Sequence, residues 1–425
     1  MLSKIASRSL GAAVRTSSTT STTRFLSSTP TLFTATEPNS SVSGRESALF
    51  TPGPLTTSIG VKQAMQVDLG SRDSKFIDVI QSVRDELLGM ARTSQADGHE
   101  CVLMQGSGTF CVESVISSVI PASGKLLVLS NGAYGERIGQ MCKIHKIDHE
   151  VISYGERGAP NAADAAAAVL ADPSITHVAC IHHETTSGAL NPAQAIGAAI
   201  KEARPELVYI VDSMSGFGCY DMDMGPGCDG ENVDFLVSSS NKNIEGVPGF
   251  AFCVAKKSEL VKTEGLARTL SLDLYSQWAG LEKNKQFRFT PPTHALLAFG
   301  QAMKEHKAEG GAAGRRARYE HNAKILVDGM AEMGFHPYLD PSIQGCVITT
   351  FLFPDDKNFN FEVFYQKLQN RGLVIYPGKL TAADCFRIGS IGRLFERDMV
   401  GIVTAVRDIL SREMNVALPV KQIEV

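Results

Sequence analysis

The chain lacks an excess of positive charge. Its 41 Lys and Arg stand against 45 Asp and Glu, a formal net charge of -4 in 425 residues. A protein that grips nucleic acid needs a basic footprint, and none is present. No apolar run reaches the ~18 residues that a membrane-spanning helix requires. The nine cysteines are odd in number and include no C-x-x-C pair. That argues against a disulfide scaffold or a zinc ribbon and for a reducing compartment; no metal is expected. No segment repeats at a fixed period, which excludes a solenoid. What is present is 43% hydrophobic and 20% charged, material for a sizeable core.

Residues 1–36 differ from the rest. They hold Lys4, Arg8, Arg15 and Arg24, no acidic residue, and 17 Ser or Thr. Small apolar patches interleave with the arginines. The composition predicts a transit peptide that directs the protein to the mitochondrial matrix, with the plastid as the alternative. Residues 1–40 are therefore set apart from the fold as a targeting or disordered segment.

From about residue 100, short apolar runs alternate with helical patterns. Strands are expected at Cys101–Met104, Leu126–Leu129, His149–Ser153, His177–Ile181, Leu207–Val211, Asp234–Val237 and Phe250–Val254. Helices are expected at Phe110–Val119, after Tyr134, at Ala162–Leu170 and from Pro192. Strands apolar on both faces and separated by helices predict an α/β fold with a mainly parallel sheet covered on both sides. Residues 293–334 look helical, broken at Gly310-Gly311 and Gly314. Beyond them come strand-like Gly345–Phe353, helical Phe361–Gln369, strand-like Leu373–Tyr376 and Phe386–Ile388, and a helix over Glu396–Glu413. The expected division is a large domain over 46–300, whose first ~15 residues pack with a smaller C-terminal α+β domain over 301–425.

Ligands of open parallel sheets bind at the carboxyl ends of the strands. The residues there are Gly106-Ser107-Gly108-Thr109, Tyr134, His183 to Gly188, Asp212 and Asn241-Lys242. A Gly-rich turn before a helix can bind phosphate through backbone amides and the helix dipole. A carboxylate ending an apolar strand needs a partner, and a pyridinium N–H would be one. A lysine shielded from water can serve as an amine nucleophile. Together these groups match the needs of pyridoxal 5'-phosphate. Of His182 and His183, adjacent in an extended segment, at most one lines the site. The lone Trp278 is expected at a domain or subunit junction.

At Asp212-Ser-Met-Ser and Ser240-Asn-Lys242 the sequence resembles the fold-type I enzymes that use pyridoxal phosphate, in the class V aminotransferase group. Further strings carry the resemblance from Thr51 to about Arg412: Thr51-Pro-Gly-Pro-Leu-Thr-Thr57, Gln105-Gly-Ser-Gly-Thr109, Ser130-Asn-Gly-Ala-Tyr-Gly135, Glu184-Thr-Thr-Ser-Gly188, Pro292-Thr-His294, Tyr376-Pro-Gly-Lys379 and Asp384-Cys-Phe-Arg-Ile-Gly389. No single string is decisive, but their order is specific. The resemblance implies that Lys242 carries the cofactor as a Schiff base and that Asp212 pairs with the pyridine nitrogen. It implies that Ser107, Gly108 and Thr109 cradle the phosphate, that Tyr134 stacks on the ring, and that Thr186, with Thr185, reaches the cofactor's 3-hydroxyl. It implies a homodimer with a shared site, Thr290 contacting the phosphate of the neighbouring subunit, and Arg387 binding the anionic end of a small-molecule substrate. The activity implied is transamination of 2-aminoethylphosphonate with pyruvate; a serine– or alanine–glyoxylate aminotransferase of the same group is the alternative. Arg72 stands where relatives often have an aromatic. A cysteine desulfurase usually has His before the lysine, where this chain has Asn241.

Overall fold

The computed structural model describes residues 46–380 and 383–424. The segment read as a transit peptide lies outside them. In chain order the elements that matter here are β1 (Ala48–Leu49), α1 (Ser74–Met90), β2 (His99–Gln105), α2 (Gly108–Val119), β3 (Lys125–Ser130), α3 (Ala133–His145), β4 (Asp148–Ser153) and α4 (Ala162–Ala171). Then follow β5 (Ile175–Ile181), α5 (Ala193–Ala203), β6 (Val208–Asp212), β7 (Phe235–Ser239), β8 (Phe250–Lys256), α6 (Leu274–Asn284), α7 (Thr293–Ala308) and α8 (Gly311–Ala331). The last are β9 (Ile348–Leu352), α9 (Phe361–Asn370), β10 (Leu373–Val374), β11 (Tyr376–Pro377), β12 (Cys385–Gly389) and α10 (Glu396–Asp408).

Seven strands form one sheet in the order β2-β8-β7-β6-β5-β3-β4. The pairs β3–β4, β3–β5, β5–β6 and β6–β7 are parallel, while β8 runs antiparallel to both β7 and β2. The mainly parallel sheet read from the sequence is thus present, with one reversed strand. Residues of β5 to β8 are buried almost throughout because helices cover both faces, which is why these strands read as continuous apolar runs. The strand order reverses between β3 and β5, so the carboxyl ends of β3, β5 and β6 open a crevice there.

A second core forms around the three-stranded antiparallel sheet β9-β12-β11, flanked by α8, α9 and α10. The chain's early residues belong to this core: β1 pairs in parallel with β10, and Phe50 is fully buried among Phe351, Phe386 and Met330. Thr51 to Gly53 are thereby led to the mouth of the crevice.

Three details correct the sequence reading. Helix α1 was not foreseen, although Phe76, Ile80, Val83 and Leu87 follow a helical period behind an Asp73 N-cap that accepts from the Lys75 amide. Gly314 does not break the helical stretch. Gly310 and Gly311 do, with φ of 104° and 69°, whereas Gly314 lies inside α8 where a Cβ would sit 1.9 Å from the Glu309 carbonyl. Trp278 does not sit between the two cores: it packs within the first core on α6, its ring 5.5 Å from that of Tyr275.

Phe50→Ala removes the side chain that fastens this entry strand to the second core. It should cost about 3–5 kcal/mol of unfolding free energy, read from urea titrations of the variant and the parent.

Candidate active site

Strand β6 ends in Asp212, and a loop follows it. Its Oδ1 accepts the amide of Met214 at 3.0 Å, and the amide of Ser213 donates to Val237 of β7 at 2.8 Å. His182 and His183 brace this loop, their Nδ1 atoms lying 2.8 Å from Ser213 Oγ and 3.0 Å from Ser215 Oγ. Burial pulls both imidazoles down, to about 4 and about 3, so they stay neutral at physiological pH. Both are therefore internal struts. Burial pushes the Asp212 carboxyl up to about 6 despite the Met214 amide. Glu184 adds to the rise, while the Lys242 and Arg137 cations oppose it. This carboxylate is poised for a cationic partner.

Lys242 lies three residues past β7, in a loop held in a fixed path. Ser240 Oγ donates to the carbonyls of Val247 at 2.6 Å and Phe250 at 3.0 Å, and the Gly246 amide donates to the Ser240 carbonyl at 2.9 Å. Glu245, at φ 63°, is clamped from α8 by Arg318 and by the Tyr319 hydroxyl, each at 2.7 Å. The Lys242 ammonium donates to the Pro52 carbonyl at 2.7 Å. Loss of hydration draws Lys242 below the usual lysine range. Tyr134 and Asp212 oppose the shift, and Arg387 and Lys379 reinforce it. Gly53 is required beside it: at φ 120°, a Cβ would lie 2.8 Å from Lys242 Cδ and 3.0 Å from its Nζ.

Tyr134 occupies the first turn of α3, half-buried. Its amide donates to Glu184 Oε2 at 3.2 Å. Burial opposes ionisation of its phenol, but Lys242, Lys379 and the Thr185 hydroxyl outweigh that and draw it below the usual range. The Thr186 hydroxyl is engaged internally: it donates to Glu184 Oε1 at 2.5 Å and accepts from the Ala133 amide at 3.0 Å. Thr185, not Thr186, is thus the hydroxyl turned toward Tyr134. Arg387, on β12 and buried, donates through Nη1 to the Thr185 carbonyl at 2.6 Å and through Nε to the Pro377 carbonyl at 3.1 Å.

The turn Gly106-Ser107-Gly108-Thr109 joins β2 to the N-terminus of α2. Ser107 is the N-cap residue but makes no side-chain capping bond. At Gly108 a Cβ would meet Met214 Sδ at 2.3 Å, so a larger residue there would need the Met214 side chain to shift. Ser239 is two residues beyond Val237, the register partner of Asp212, and so faces the same side of the sheet. Its hydroxyl is buried without a hydrogen-bond partner. Unspent donors of this kind, beside a helix N-terminus, fit the phosphate of a cofactor. Among the described residues no cluster of His, Cys, Asp and Glu could hold a metal ion.

The structure therefore brings Lys242, Asp212, Tyr134, Thr185 and Arg387 into one electrostatic neighbourhood at the sheet's carboxyl edge. Thr290 is not among them. It is exposed, in a surface groove of about 330 Å³ with Arg72 and Arg288. Four contributors escaped the sequence reading. Glu184 supports Tyr134 and Thr186. Arg137 donates to Thr109 Oγ1 at 3.2 Å and lies 4.8 Å from the centre of the Tyr134 ring. The others are Ser239 and Lys379. Glu184 and Lys379 stand in two of the strings that carry the family resemblance, Glu184-Thr-Thr-Ser-Gly188 and Tyr376-Pro-Gly-Lys379; Arg137 and Ser239 had no such signal.

An open α/β sheet offering a shielded lysine and a buried carboxylate at its switch point defines an enzyme of the fold-type I pyridoxal-phosphate class. The chain belongs to the class V aminotransferases, whose family model matches residues 63–392. It is 45% identical, over 86% of its length and 98% of the relative's, to the 2-aminoethylphosphonate–pyruvate transaminase of Klebsiella pneumoniae. A transaminase of the same name from Salmonella typhimurium is 44% identical over 86% of this chain and 98% of that one. Among solved structures, pyridoxamine–pyruvate aminotransferase from Mesorhizobium loti shares the fold at a TM-score of 0.78 and 24% identity, covering 88% of this chain and 94% of that one. Alanine–glyoxylate aminotransferase from Nostoc does so at 0.77 and 20% identity, covering 88% and 97%. Membership of this family makes the protein an aminotransferase dependent on pyridoxal phosphate.

Gly53→Ala should lower kcat/KM about 100-fold while the protein stays folded, because it displaces the Lys242 amine. Circular dichroism and steady-state rates check both halves.

Proposed function

We propose that the enzyme transaminates 2-aminoethylphosphonate with pyruvate, giving phosphonoacetaldehyde and L-alanine. The named relatives, close to half identical over nearly their whole length, support this substrate pair. The observation that carries the reading is the convergence of Lys242, Asp212 and Arg387 in one electrostatic neighbourhood.

Lys242 would hold the cofactor through its amine and Asp212 would face the ring nitrogen. Ser107, Gly108 and Thr109 would take the phosphate, with Ser239 beside them, and Thr185 and Tyr134 would flank the ring. When bound, pyridoxal phosphate supplies a carbonyl carbon for the amino group and a ring that accepts the electron pair left on the substrate carbon. Lys242 Nζ would take the proton from the amine-bearing carbon as a base and give it up as an acid at the carbon the cofactor supplies, not at the one it came from. Its lowered proton affinity favours the neutral amine relative to a solvated lysine. Asp212, kept dry by its strand end, holds positive charge opposite it. Arg387 binds the anionic end of each substrate in turn, phosphonate in one half-reaction and carboxylate in the other. Amine exchange between two substrates that use one site in turn gives ping-pong kinetics.

Thr290 would serve the site of a second copy in a homodimer, which its exposed position on the chain permits. Residues 1–36, basic and rich in Ser and Thr, would carry the protein into the mitochondrial matrix.

Profiling of amine donors with pyruvate, read as alanine formed, tests the activity. 2-Aminoethylphosphonate is expected to be the best donor, and Lys242→Ala to abolish turnover. Activity with alanine and glyoxylate, and none with 2-aminoethylphosphonate, would replace the reading with the glyoxylate alternative.

A further inference from the structure

The substrate end of the pocket holds more positive charge than Arg387 alone supplies. Strand β11 pairs with β12 so that Tyr376 lies opposite Arg387, and Pro377 receives the Arg387 Nε–H. The next residue, Gly378, donates to the Cys385 carbonyl at 3.0 Å, and a Cβ there would lie 2.3 Å from that same oxygen. The tight turn brings Lys379 back toward Tyr134. Its Nζ comes to 3.8 Å from the centre of the Tyr134 ring. Among the described residues no carboxylate lies within ion-pair distance of it. Its charge acts on Tyr134, Glu184 and Lys242, the groups that Arg387 also faces. The strand pair that holds Arg387 also anchors the backbone leading into Lys379, through the Gly378 amide.

Arg387 is constrained. Two of its three guanidinium nitrogens already donate to carbonyls, Nε to Pro377 and Nη1 to Thr185. The remaining donors suit a carboxylate of one negative charge. A phosphonate has three oxygens and carries up to two charges, and burying the second without a partner is costly. A mobile point charge with three donors, at the edge of the same pocket, meets that need.

We propose that Lys379 is a second cation of the substrate subsite and sets its preference for a phosphonate over a carboxylate. The inference rests on the donor reading above and goes one residue further: it separates the two half-reactions by charge, with Arg387 serving both anions and Lys379 the phosphonate.

The test uses holoenzyme and two ligands without an amine, ethylphosphonate and propionate, whose dissociation constants are measured by titration calorimetry. The unaltered protein is expected to bind ethylphosphonate more tightly. Lys379→Met should weaken ethylphosphonate roughly 10- to 100-fold, the worth of one charge-assisted hydrogen bond, and propionate less than about threefold. Lys379→Arg should restore most of the loss. In kinetics, Lys379→Met should raise KM for 2-aminoethylphosphonate far more than KM for pyruvate. Equal loss of both ligands, no loss of either, or no preference in the unaltered protein would overturn the proposal. Turnover of 2-aminoethylphosphonate by the unaltered enzyme is measured alongside. Its absence would refute the donor reading, whereas the ratio of the two dissociation constants reads the subsite itself.

Discussion

The site depends on withholding water from two opposite charges without letting them neutralise each other. Asp212 ends a strand buried on both faces, and burial raises its proton affinity toward neutrality. Lys242 is drawn the other way by the same loss of hydration and by two further cations. Neither group would hold such a state on a flexible surface loop. Asp212 keeps it because β6 lies between β5 and β7 in the middle of the sheet. Lys242 keeps it because Glu245, three residues on, is tied to Arg318 and Tyr319 of α8.

That tie is one of several by which the second core reaches the first. Arg387 donates to the Thr185 carbonyl, Thr350 Oγ1 donates to the Ser187 carbonyl at 2.8 Å, and the Gly345 amide donates to the Gly188 carbonyl at 2.9 Å. All three acceptors lie in the stretch 185–188 that follows β5. Tyr220 adds a link from the loop after β6, accepting the Cys346 amide at 2.7 Å. The antiparallel sheet is thus anchored to the same loops that carry the site. Such an arrangement fixes the distance between the group that binds a substrate's anionic end and the group that moves its proton.

How much of this was legible follows from what each residue depends on. Strands buried on both faces announce themselves as unbroken apolar runs, so β5 to β8 and the position of Asp212 at a strand end could be read directly. Helix α1 was overlooked because it carries Arg84 and several acids among its apolar positions; Arg84 is in fact buried, paired to Glu282 at 2.6 Å and donating to the Cys101 carbonyl at 2.8 Å. Contacts across the two cores were illegible. Arg387 was found through family resemblance; Lys379 ends one of the strings that carry it but was given no role, and Arg137 looks in the sequence like any solvated cation. Thr185 and Thr186 could not be told apart in the sequence, because it is the Glu184 carboxylate, seen only in the fold, that engages the Thr186 hydroxyl. Gly53 owes its identity to a lysine 189 positions away, a distance over which no local rule operates.

The account stands on the identity of the amine at the sheet's edge. Reduction of the loaded enzyme with borohydride, followed by digestion and mass spectrometry, reads that identity directly. A single pyridoxyl group on the peptide containing Lys242 is the predicted result. A label on any other lysine, or a protein that takes up no label, would contradict it.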